Sequence, residues 1–143
     1  MRNTNYWAVI VAVLVTFIAS AIWYAALSHQ YFELRGIDPN DKAATAMHAW
    51  QVLVLLARHL TVTLVMAYLV SRLGIRTLKG GLGLGLLLFI GFPLVLLAGS
   101  AASDHVPLAL VSIHGGDWLI KLLIIGAILA VWRKKAPQAK AAA

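Results

Sequence analysis

Cysteine is absent from this chain of 143 residues. Disulfides, thiolate metal sites and cysteine nucleophiles are excluded, and the redox state of the compartment is left unconstrained. Charge is sparse too. Only 12% of residues are Asp, Glu, Lys or Arg, where a soluble domain carries about 25%. Acidic residues are the scarcest, 5 against 12 Lys and Arg. No paired catalytic carboxylates, no Ser-His-Asp arrangement and no metal set can be read from them, so the expectation is a non-enzyme with no cofactor. The basic excess, formally +7, does not describe a nucleic-acid surface. The Lys and Arg residues flank apolar runs and form no patch among aromatics.

What the chain has instead is apolar length. It is 62% hydrophobic with a mean hydropathy of +0.86, against roughly 45–50% apolar residues in a soluble domain. Four runs stand out: Tyr6 to Leu27, Ala49 to Ser71 broken by Arg58 and His59, Gly80 to Ser103, and Val106 to Trp132 broken by His114, Asp117 and Lys121. Each can cross a hydrocarbon core of about 30 Å as a helix. None has the alternating pattern of a barrel strand of about 10 residues. Arg2 before the first run and Ala19-Ser20-Ala21 within it resemble a signal peptide. The run outlasts the usual stretch of about 7–15 residues and continues past that site, so it reads as a helix.

The expected architecture is all-α: an integral membrane four-helix bundle over residues 1–135, with helices at about 5–27, 46–72, 80–102 and 107–133, then a disordered Ala-rich tail over 136–143. Asp38-Pro39-Asn40-Asp41 in the longest connection is turn chemistry, and Asp41 is placed to cap the helix that follows. Outside the runs, Arg2, Arg72, Arg76, Lys79, Arg133, Lys134, Lys135 and Lys140 fall on one side, and Arg35 and Lys42 on the other. Positive residues stay cytoplasmic, which puts the N and C termini inside. Trp7, Trp50 and Trp132 fall at the expected interfaces. The expected location is a membrane crossed several times.

Charges inside the runs are the candidate site. Each costs about 2.5–3.5 kcal/mol at mid-helix on insertion scales, so a partner is expected. Counted from the ends of their runs, Arg58 is level with the Asp117–Lys121 turn. His114, Asp117 and Lys121 share one helix face, and Asp117 stands four residues before Lys121, the favourable order for a pair. One reading has Asp117 bridging Arg58 and Lys121, locking the second and fourth helices together while His59 and His114 bond across helices. The other starts from the count of two cations against one anion. Either Lys121 gives up its proton or an anionic ligand or lipid phosphate completes the site, or protons pass through His59 and His114. Asp117→Asn separates the two readings.

Gly81 and Gly85 form a GxxxG pair, and Ser112 and Gly116 repeat the small-residue spacing; helix packing is the expected use, with pairing of protomers into a homo-oligomer. Pro93 is expected to kink the third helix. His29, His48 and His105 lie near acidic loop residues without the close spacing of a metal motif.

A family resemblance rests on ordered motifs. Asn5 before the first helix and Trp23-Tyr24-Ala25-Ala26-Leu27 at its end, Ala67-Tyr68-Leu69-Val70, the Gly-rich Gly81 to Phe92, and Pro107 to Leu110 followed by Ile113 to Trp132 resemble the pattern of the DUF1761 family. The resemblance implies a small four-span protein of a bacterial inner membrane and carries no activity. Asp117 stands where that family usually has an aromatic, Lys121 where it has a small or apolar residue, and His114 where Asn is common. The reading is a small transporter or channel-like protein with a charged midplane site in the lipid bilayer, or else a non-catalytic structural or assembly partner.

Overall fold

A computed structural model describes residues 5–132. The expected tail over 136–143 lies outside the described residues. Every regular element among the described residues is helical. They are α1 (Tyr6–Ala26), α2 (Ser28–Leu34), α3 (Lys42–Thr45), α4 (Ala49–Arg72), α5 (Leu78–Phe89), a π-helical turn (Ile90–Leu94), α6 (Val95–Ser103) and α7 (Leu108–Val131). Four stretches are long and apolar enough to cross a membrane: Tyr6–Ala26, Lys42–Arg72, Leu78–Ser103 and Leu108–Val131.

Local chemistry sets the ends. The Asn5 side chain caps α1 by accepting from the Trp7 N–H. Asp38 accepts from the Asn40 N–H at 2.9 Å, making the expected turn. Asp41 caps not the long helix but the single turn α3, accepting from the N–H groups of Ala43 and Ala44. The chain then straightens before α4. Two helices close in the same way. Gly74 after α4 and Gly36 after α2 both take left-handed backbone. In each case the next residue's N–H reaches back to a carbonyl five residues earlier, Ile75 to Val70 and Ile37 to Phe32. Thr77 then caps α5 through the Gly80 N–H.

Pro93 sits in the π-helical turn and is buried. A proline has no N–H and its ring crowds the carbonyl four residues back. Widening one turn accommodates both without ending the span, which is how π-turns arise within longer helices.

Helix α7 is the hub: it packs most closely on α5, then on α1, then on α4, while α4 scarcely touches α5 or α6. Its side facing α5 works through backbone proximity. A Cβ on Gly81 would collide with the Gly126 carbonyl and the Ala130 side chain, and one on Gly85 would lie 2.6 Å from the Leu122 carbonyl oxygen. The GxxxG pair is therefore consumed inside the chain and is not a surface for joining copies. Gly116 lies against the Trp23 indole of α1. Ser112 is exposed and returns its hydroxyl to the Leu108 carbonyl, so it is not a packing position.

The outside is the apolar part. Ile10, Leu14, Ile18, Leu53, Val54, Leu87, Leu96 and Val131 are all exposed, and no span has more than 28% of its apolar window buried. In water that surface would be one large apolar patch. Acyl chains would solvate such a surface, leaving polar groups to be satisfied within the bundle.

Candidate functional site

Three helices present narrow stripes to one another. On α1 the stripe is Ala8, Ala12, Thr16, Ser20 and Tyr24; on α4 it is His59, Thr63, Met66, Ala67 and Val70; on α7 it is Ile113, Asp117, Lys121, Ile125 and Leu129. Helices α4 and α7 run the same way and α1 runs against them. Spacing of three and four residues keeps each stripe on one face.

Where the stripes meet, four polar side chains form one chain of hydrogen bonds. Lys121 Nζ donates to Asp117 Oδ2 at 2.8 Å, with the two side chains 1% and 3% exposed. The other carboxylate oxygen, Oδ1, accepts from the Ser20 hydroxyl at 2.5 Å. Ser20 Oγ also lies 3.3 Å from His59 Nε2. His59 Nδ1 lies 2.8 Å from the Leu55 carbonyl oxygen. The carbonyl can only accept, so Nδ1 carries the proton. Phe17 closes over the His59 ring edge-on at 5.6 Å.

A second polar layer lies one helical turn away, toward the connection formed by residues 28–48. Tyr24 OH and His114 Nδ1 are 2.7 Å apart. Trp23 Nε1 donates to the Ile113 carbonyl at 2.9 Å. The Tyr31 ring meets His114 at 5.9 Å, and Arg35 donates to the Tyr31 hydroxyl at 2.9 Å. Polar side chains thus lead from exposed Arg35 inward to Tyr24 and His114, one helical turn short of Ser20 and Asp117. In the opposite direction the interior turns apolar after Thr16 and Thr63: Ala8, Val9, Ala12, Met66, Val70, Ile125 and Leu129 are all buried. Thr63 Oγ1 is buried in this last polar layer with no hydrogen-bond partner among the described residues.

The expected bridge from Asp117 to Arg58 does not form. Arg58 is exposed, and its guanidinium stands 5.7 Å from the Trp118 ring centre instead. Both Asp117 oxygens are already engaged. Arg58 also precedes His59 by one residue, which turns it about 100° around α4 and away from the three-helix interface. Helices α4 and α7 are joined near mid-span, but through His59, Ser20 and Asp117. His59 and His114 both bond to α1, across helices. Among the described residues no three His, Asp or Glu gather closely enough to hold a metal ion.

A family model described as a protein of unknown function, DUF1761, matches residues 7–130, from the first turn of α1 to the last turn of α7. The chain belongs to the DUF1761 family. Nothing among curated proteins matches it, and nothing among solved structures does. The site of this DUF1761 protein must therefore be read from its own geometry.

One member of that site, Ser20, is invisible to a motif reading, where it serves only as the middle of an Ala-Ser-Ala triplet. A signal exists nonetheless. Ala8, Ala12, Thr16 and Ser20 repeat every four residues, and the other positions between Ala8 and Thr16 are all Val, Ile or Leu. Small and hydroxylated residues on one face of a span mark the side on which helices approach and exchange hydrogen bonds.

Proposed function

We propose that this DUF1761 protein is a small multi-pass membrane transporter that takes up and passes on a proton at the His59–Ser20–Asp117–Lys121 chain. The observation that carries the reading is the position of Ser20, whose hydroxyl has one proton and faces two acceptors. With Asp117 ionised against Lys121 and His59 neutral on Nδ1–H, Ser20 can donate to Asp117 Oδ1 or to His59 Nε2, not to both. One more proton completes the chain. Placed on His59 Nε2 it is donated to Ser20 Oγ, and Ser20 still donates to Asp117. From there the proton can shift. His59 gives its Nε2 proton to Ser20 as Ser20 gives its own to Asp117, leaving neutral His59, an intact serine hydroxyl and a protonated Asp117.

Neither state satisfies every group. The empty chain is neutral and leaves one contact without a proton; the loaded chain is fully bonded and carries an uncompensated positive charge, which is costly where it is buried. A site that must both accept and release a proton needs this balance. The Arg35–Tyr31–His114–Tyr24 line supports entry from the side of the 28–48 connection, and the apolar layer beyond Thr63 supports a barrier on the other. With the basic loops cytoplasmic, entry is from outside the inner membrane of a bacterium.

A second reading, a helix lock with no traffic, is favoured by the closure of that apolar layer. Liposomes holding a pH-sensitive dye, driven by an imposed membrane potential, separate the two. The transport reading expects proton influx in the wild type, lost in Ser20→Ala while the protein still folds. Equal dye signals from wild-type, Ser20→Ala and protein-free liposomes leave the helix lock.

A further inference from the structure

Between α4 and the α5–α6 helix lies a cleft of about 510 Å³. Its walls are apolar, including Val62, Val65 and Leu69 of α4 with Leu88 and Phe92 opposite, and Trp118 of α7 lines its floor. Arg58 lies beside it, next to the lining residue Trp118. It precedes Val62 by four residues on the same face of α4, and its guanidinium lies over the Trp118 ring at 5.7 Å. It is exposed at mid-span and has no ion pair among the described residues.

A helical arginine leans toward the N-terminus of its helix, here the end bearing the 28–48 connection. Its stem then leads away from Val62, Val65 and Leu69 and carries the head from mid-span toward the lipid headgroups. Along α4 the surface is therefore ordered as an amphiphile is, a cation followed by apolar Val62, Val65 and Leu69. We propose that the cleft seats one acyl chain of an anionic phospholipid, with the lipid phosphate held by Arg58. The guanidinium fork suits phosphate oxygens, and the Trp118 ring lies within cation–π reach of it. The buried Lys121 Nζ lies 5.0 Å from the same ring.

A second copy of the chain is the competing occupant, and it has no suitable charge to offer. The acids outside the bundle interior, Glu33, Asp38, Asp41 and Asp104, all lie at or beyond helix ends. Asp117 is the acid at the right depth, and it is buried with both oxygens engaged. A lipid phosphate supplies the missing anion from the membrane itself, independently of any proton movement at Ser20.

Native mass spectrometry of the full chain in neutral detergent tests this. Phosphatidylglycerol and phosphatidylcholine of equal chain length are titrated against wild type, Arg58→Gln and Val65→Phe. The wild type is expected to retain one phosphatidylglycerol with about tenfold preference, equivalent to about 1.4 kcal/mol. Arg58→Gln should bind the two lipids equally. Val65→Phe narrows the cleft and leaves Arg58 in place, so it should weaken retention of both lipids; it carries the test alone if Arg58→Gln does not fold. Equal retention of the two lipids by the wild type, an unchanged preference in Arg58→Gln, unaltered binding in Val65→Phe, or a dimer that excludes lipid would each overturn the proposal.

Discussion

Two halves of one three-helix interface are built from opposite materials. Toward the 28–48 connection, α1, α4 and α7 meet through Ser20, Tyr24, His59, His114, Asp117 and Lys121. Toward the basic loop at Arg72–Lys79 they meet through Ala8, Ala12, Met66, Val70, Ile125 and Leu129. The helices, their directions and their spacing carry over from one half to the other. The apolar half packs by shape, as helices in lipid do. The polar half puts different material at the same interface. It places a buried ion pair where a pair of apolar residues would fit, and adds a hydroxyl with too few protons for its neighbours. Such a layer earns an explanation in terms of chemistry.

Breaking the ion pair should have the largest effect. Lys121→Met leaves Asp117 buried without its cation and is expected to cost about 3–5 kcal/mol, read from thermal unfolding in detergent by circular dichroism. Replacing both partners, Asp117→Leu with Lys121→Met, should restore most of that stability and leave no proton flux. In the apolar half, Ile125→Ala removes a fully buried side chain. A loss of about 2–5 kcal/mol is expected, with proton flux per folded protein unchanged. Where α5 meets α7, Gly85→Ala drives a methyl group against the Leu122 carbonyl. Overpacking of this kind costs about 1–3 kcal/mol, which the same melting experiment measures. Ser20→Ala should cost least among interior changes, about 0.6–1.7 kcal/mol, the range for hydrogen bonds between membrane helices. It should nonetheless abolish flux, and that dissociation of stability from activity is what separates the halves. Ser112→Ala, on an exposed surface, should stay within about 0.5 kcal/mol and serve as the control.

Much of this was legible in the chain itself. Apolar runs longer than a bilayer is thick declare four spans, and Asp117 four residues before Lys121 declares a pair on one face. Proline in the third run marks its irregular turn. Arg58 shows where such reading stops. Counting residues gives depth along a helix, because rise per residue is constant. Which way a side chain points depends on which face the neighbours cover, and one residue's difference sends His59 inward and Arg58 outward. Ser20 was hidden for another reason. A hydroxyl has no charge to make it conspicuous in an apolar run, and its significance comes from two acceptors on two other helices. The Gly81–Gly85 pair could be read as a packing surface, but not as one that α7 of the same chain already covers.

The central claim is that His59 Nε2 shares one exchangeable proton with Asp117 through Ser20. Nitrogen-15 NMR of the His59 imidazole, in bilayers across a pH titration, measures it most directly. The account predicts that Nδ1 remains protonated throughout, held by the Leu55 carbonyl. Nε2 should gain and lose a single proton in a step that shifts when Ser20 is replaced by Ala or Asp117 by Asn. An Nε2 signal that never changes, or one that titrates identically in all three proteins, would contradict it.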